Sequence, residues 1–203
     1  MSPFSSPEHP IHLAPVLYRA ELVYSIFRRY IVMSEFFDVL ENRNSVRRYR
    51  DKQLSDDLCR KLVEAGLRAP TAVNKQELHF TVVKNDHPVQ AEIQNDLNPE
   101  AQTSFYYNAP VTIYISGNES FKWTAVDAGI AVENIHLAAE ALGLGSVILG
   151  CMKDVLNGEK KEEYARKLDF PEGYGYQIAI AAGYAEATKE QHSFDFEKNV
   201  TVI

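Results

Sequence analysis

Two short segments carry the side chains best suited to gripping a charged, hydrogen-bonding ligand. RNSVRRYR at 43–50 places Arg43, Ser45 and Arg47 within five residues. A guanidinium matches a phosphate with two parallel hydrogen bonds, and a hydroxyl adds another donor. The same cations suit the electron-rich edge of a ring, and a solvated basic stretch is the plain alternative for such a run. APTAVNKQ at 69–76 sets Thr71, Asn74 and Gln76 behind a helix-stopping Pro70. An amide donates and accepts at once, although an asparagine after a proline also serves as a turn residue. Together the two segments suggest a cofactor grip.

The elements that must position them can be read from periodicity. Ser34 can cap a short helix carrying Phe36, Phe37 and Leu40, and Ser55 a second one with Asp56 and Asp57 in its first turn. In that second helix Leu58, Cys59, Leu62, Val63, Gly66 and Leu67 form one apolar stripe ending before Pro70, which explains Cys59 as core. HFTVV at 79–83 and PVTIYIS at 110–116 read as buried strands, with a helix or loop at 88–108 between them. The stretch from Trp123 to Leu142 is apolar on more than one face, the mark of a central, buried helix. Gly143 and Gly145 end it. SVILG at 146–150 begins as a strand, a polar helix follows at 159–168, and YGYQIAIAAGYA at 174–185 and the terminal NVTVI are further strand candidates.

Composition narrows the function classes. With 203 residues and 45% hydrophobic content the chain can bury a full core. A formal charge of −7 without a long basic run gives no electrostatic case for nucleic acid. Cys59 and Cys151 lack any metal-ligand spacing, so no zinc site or disulfide framework is expected and a reducing cytoplasm is the simpler setting. Cys151 reads as a small apolar space-filler, with a place in the pocket lining as the alternative. Residues 11–32 are apolar and aromatic but interrupted by Arg19, Glu21, Arg28 and Arg29, so no membrane span is expected, and without a basic n-region before or a small-residue cleavage site after them they do not read as a secretory signal. Residues 1–32 are expected to be a poorly anchored extension and 33–203 the functional unit. His79, His136 and His192 read as isolated, and Asp127 as a charge complementing the start of the long helix. No dedicated catalytic acid or nucleophile is expected.

RNSVRRY, APTAVNKQ, DAGIAVENIHLAAEALGLGSVILG at 127–150 and IAIAAGYAE, in this order and spacing, resemble the nitroreductase family of FMN-dependent oxidoreductases across 34–186. The resemblance implies an α+β fold, with a mixed, mainly antiparallel sheet flanked by helices. It also implies an intertwined homodimer with an FMN in each of two interface clefts, and a C-terminal strand reaching the partner subunit. By the same resemblance Arg43 and Ser45 hold the FMN phosphate with Asn44 between them, and Arg47 lies beside N1 and O2 of the flavin. Asn74 bonds the flavin pyrimidine, within a segment that also brings Pro70, Thr71 and Gln76. Ile148, Leu149 and Gly150 offer backbone groups, where a plain buried strand end is the alternative, and Lys189 is the first basic residue after Gly183 and Tyr184. Where the family often continues with proline and an aromatic, this chain has Glu77 and Leu78, which puts the pocket's shape and charge in question. The implied chemistry is ping-pong electron transfer from NADH or NADPH through FMN to nitroaromatics, quinones or related acceptors. The alternatives are a flavin-holding or regulatory module with little turnover, or a reductive dehalogenase-type relative.

Overall fold

Strand β2 (Val111–Asn118) decides the layering. Its residues alternate, with Val111, Ile113 and Ile115 facing one cluster of buried side chains and Tyr114 facing another. A strand buried on both faces must be covered on both, and β2 lies inside a four-stranded sheet of order β1-β2-β4-β3. The other strands are β1 (Leu78–Lys84), β3 (Gly145–Leu149) and β4 (Tyr174–Gly183), and every ladder is antiparallel. The computed structural model describes residues 35–188, 190 and 193–203. The chain divides into two units, Met1–Leu40 and Glu41–Ile203. Residues 35–42 are helical (α1), and within the first unit the rings of Phe36 and Phe37 meet edge to face at 6.0 Å. The readings of Ser34 as a cap and of 1–32 as an extension fall outside the described residues.

One face of the sheet is covered by α2 (Asp56–Leu67) and α4 (Thr124–Ala141). Ser55 caps α2, its side chain accepting from the Leu58 N–H at 3.3 Å. Cys59, Leu62 and Gly66 of the expected stripe are buried, whereas Leu67 is 63% exposed because the helix ends as it leaves the sheet. Gly66 marks the close approach to α4: a Cβ there would come within 2.8 Å of Phe80 and 3.0 Å of Ile135. Full burial of side chains such as Leu62 and Ile135 contributes about 1.5–3 kcal/mol each.

The opposite face packs on α3 (Pro88–Leu97), α5 (Lys153–Leu156) and α6 (Lys161–Lys167). A bulge between β2 and β4 leaves Gln177 unpaired, so Ile178 joins the α2/α4 face while Tyr176 turns to the other. Tyr176 then donates to the Leu149 carbonyl at 2.7 Å, and Tyr114 to the Tyr106 hydroxyl at 2.9 Å. Burial pushes all three phenols far above their usual range.

Several expectations are corrected in detail. The 79–83 segment is an edge strand and largely half-buried, because β1 has a neighbour on one side only. At 88–108 a helix to Leu97 is followed by a loop. In the terminal NVTVI stretch Asn199 closes a four-residue helix, α7 (Phe196–Asn199), capped by Asp195, and 200–203 carry no ladder within this chain. Cys151 is exposed, not a space-filler.

Candidate functional site

The segment 43–50 runs in extended form along one end of the sheet. Ser45 bridges Ser146 of β3, Val46 N–H donates to the Ser146 carbonyl at 2.9 Å, and Tyr49 bridges Ala185 just past β4. Two glycines make this approach possible. Gly145 and Gly183 are partners in the β3–β4 ladder. A Cβ on Gly145 would lie 2.7 Å from Val46, and one on Gly183 would meet Pro110 at 2.4 Å and Tyr49 at 3.0 Å. The glycines of the GLGS and GY motifs are thus seats for the arginine segment. The Tyr49 hydroxyl donates to the Val46 carbonyl at 2.8 Å and ties the two residues together.

From this seat Arg43 reaches α4. Its Nη1 donates to Nε2 of His136 at 3.3 Å, and its Nε stands 3.9 Å from Glu133 Oε1. His136 is only 2% exposed, and its Nδ1 lies 2.6 Å from Ser146 Oγ. Burial first, and then the Arg43 charge, push the imidazole down to about 4, so it is neutral at ordinary pH. The expectation that His136 is isolated is therefore overturned. No local pattern could have shown it, because its partners come from two other segments. Arg47, two residues beyond Ser45, is exposed and sits 5.8 Å from the Tyr107 ring centroid. With Arg48, Ser104, Tyr107 and Asn108 it lines a polar cavity of about 450 Å³. Tyr107 and Asn108 both have positive φ, at 55° and 57°, which turns the loop back over the arginine segment. Asn44 donates to the Asn42 carbonyl at 3.0 Å.

The second segment forms a constrained loop after α2. Val73, Asn74 and Gln76 all have positive φ, at 48°, 54° and 54°. For β-branched Val73 this is a genuine outlier, and such strain persists only where surrounding contacts over-determine it. Here they do. Ala72 N–H donates to the buried Asp127 carboxylate at 2.9 Å, Gln76 N–H to Thr71 Oγ1 at 3.0 Å, and Asn74 N–H to the Thr71 carbonyl at 2.9 Å. Asp127 stands in the first turn of α4 as expected, and it also pins this loop, a task the sequence did not reveal. Asn74 and Gln76 are exposed, and Gln76 Nε2 donates to Asn74 Oδ1 at 3.1 Å. Beside them lies a small cleft of about 210 Å³ lined by Leu67, Ala69, Thr71, Gln76, Leu78 and Phe80. Pro70 is exposed at the start of the loop.

The remaining site candidates divide. Ile148 is half-buried on the α2/α4 side and Leu149 is buried on the other, while Gly150 is exposed just past the strand. Lys189 lies outside the described residues. Among the described residues no cluster of His, Cys, Asp or Glu could hold a metal, and no helix is long and apolar enough to cross a membrane.

Residues 40–184 match the Nitroreductase family. An Archaeoglobus fulgidus protein provisionally named NADH dehydrogenase/NAD(P)H nitroreductase is 29% identical over 167 residues, which are 80% of this chain and 92% of that one. A crystal structure of a nitroreductase with bound FMN from Desulfitobacterium hafniense superposes with a TM-score of 0.75 at 27% identity, covering 83% of this chain and 98% of that chain. A second, from Bacteroides fragilis and also with bound FMN, gives 0.74 at 25% identity with the same coverages. With the family match spanning most of the chain and the solved structures superposing over 83% of it, the chain belongs to the nitroreductase family.

Proposed function

We propose that the protein is an FMN-dependent oxidoreductase that passes electrons from NADH or NADPH to a small organic acceptor, with 33–203 as the working unit. The observation that carries this reading is the pairing of a cation-and-hydroxyl segment with a strained amide loop, each fixed by a different end of α4. The donor chemistry fits FMN. Arg43 spends one N–H on His136 and keeps others for a phosphate, Ser45 adds a hydroxyl, and Asn74 and Gln76 present exposed amides to a pyrimidine edge. Arg47 supplies a fixed positive charge that favours an anionic reduced ligand over a neutral oxidised one. The end of β3 at Ile148 and Leu149, with Gly150 exposed just past it, contributes backbone groups. Bound FMN would supply the two-electron redox chemistry that links NAD(P)H to a nitroaromatic, quinone or related acceptor in a ping-pong sequence.

The reading includes a homodimer. Asp127 and His136 are nine residues apart on α4, which at 3.6 residues per turn places them about 180° apart around the helix. The two grips therefore sit at opposite edges of its buried face. Between them the outer face carries Trp123, Val126 and Ile130, which are 46%, 52% and 38% exposed. A two-fold axis crossing this stripe reverses the helix direction in the second copy, so the amide loop of one chain approaches the arginine end of the other. The exposed tail, with Val202 at 88% and Ile203 at 117%, has apolar surface to lay on the same partner. The reading is tested by steady-state NADH and NADPH oxidation with a quinone or nitroaromatic, scaled to flavin content. Turnover proportional to bound flavin is expected. Flavin without turnover would leave only a flavin-holding module.

A further inference from the structure

The geometry assigns His136 a task that rests on the proposed FMN reading and goes beyond it: it is the positioning residue for Arg43, holding the guanidinium through a neutral imidazole that Ser146 locks in one tautomer. A guanidinium has donors only, so the 3.3 Å contact requires a lone pair on Nε2 of His136. The ring proton therefore sits on Nδ1, and Ser146 Oγ, 2.6 Å away, accepts it. The Ser146 carbonyl in turn accepts from Val46 N–H at 2.9 Å. The contacts close on themselves: the side chain of Arg43 and the backbone three residues later are both referenced to the same serine. A buried histidine on a helix is costly unless both nitrogens are paired, and here both are. The competitor is Glu133, whose half-exposed carboxylate lies 3.9 Å from Arg43 Nε on the solvent side. Without the imidazole, α4 offers the guanidinium only the carboxylates of Glu133 and Glu140, and it swings outward. With it, the long side chain is already ordered for an incoming anion and loses less freedom on binding.

The test separates phosphate recognition from general packing. Full-length protein is titrated with FMN and with riboflavin, which lacks the phosphate, following flavin fluorescence. Wild type should prefer FMN. His136→Leu should cut that preference by about tenfold or more while riboflavin affinity holds. His136→Gln, whose amide can accept from Arg43 and donate to Ser146, should retain most of it. His136→Asn, one methylene shorter, should lose it, and decides the matter if the leucine variant does not fold. Adding His136→Leu to Arg43→Ala should cost nothing further. Unchanged FMN preference in His136→Leu and His136→Asn, or a parallel loss for both ligands in all three variants, overturns the positioning role while the flavin reading stands. A wild type that binds FMN no better than riboflavin removes the phosphate grip itself, and the task of His136 falls with it.

Discussion

Arg43 and Arg47 stand four positions apart and face different surroundings, so their removal should have different signatures. Arg43 is half-buried against α4, and Arg43→Ala should weaken FMN binding by about 1.5–3 kcal/mol, the usual worth of a charged hydrogen bond, measured by fluorescence titration. Retained affinity would remove it from the phosphate. Arg47 is exposed beside Tyr107, and Arg47→Gln should lower the flavin midpoint potential. A loss of about 1.4 kcal/mol from a two-electron couple is about 30 mV, readable against redox dyes. An unchanged potential with sharply weaker FMN binding would make Arg47 a phosphate ligand instead. The sequence singles out these two residues because a grip on an anion needs particular side chains at short spacing. It does not single out His136, since its contact with Arg43 spans 93 positions and only the folded chain brings them together.

The elements were legible where periodicity was long, and their roles were not. The helix expected over 123–142 is α4, with boundaries one residue inside at each end. That its first turn pins the 71–76 loop and its fourth anchors Arg43 depends on packing that no window of sequence contains. Asp127 is 4% exposed and accepts from Ala72 N–H. Asp127→Ala leaves that donor unpaired and should destabilise the protein by about 1–3 kcal/mol in urea unfolding while freeing the strained loop. An unchanged midpoint would mean that Val73 and Asn74 hold their positive φ without it. His136 makes stability depend on pH in a defined window. Its ring takes a proton near pH 4 when folded and near 6.5 when unfolded. Its contribution is therefore fully present above 6.5 and is lost as pH falls towards 4. The charged groups around it are Arg43, with Glu133 and Glu140 near that guanidinium. Wild type should lose urea resistance over this interval more steeply than His136→Gln. Parallel curves would mean the imidazole is not held neutral.

At the scale of the molecule, most strands and flanking helices were readable from alternating strand and helix signals, whereas the mainly antiparallel sheet followed from the family resemblance and not from periodicity. The sheet order was not readable, because β4 lies between β2 and β3 although it is the last strand in the chain. The glycine pair Gly145 and Gly183, which admits the arginine segment, became intelligible only once the ladder joined them. If the second copy completes the site, sedimentation should give a dimer, and truncation after Asn199 should weaken dimer and flavin binding together, since the tail's apolar side chains lose the surface they bury. A stable monomer that keeps FMN would refute the shared site. The most direct test of the flavin chemistry is the visible absorption spectrum of the purified protein, recorded anaerobically before and after adding NADH or NADPH. A flavin spectrum that bleaches with one or both nicotinamides and returns when a quinone is added is the expected result. A colourless protein that takes up no FMN on reconstitution, or bound FMN that neither nicotinamide bleaches, would contradict it.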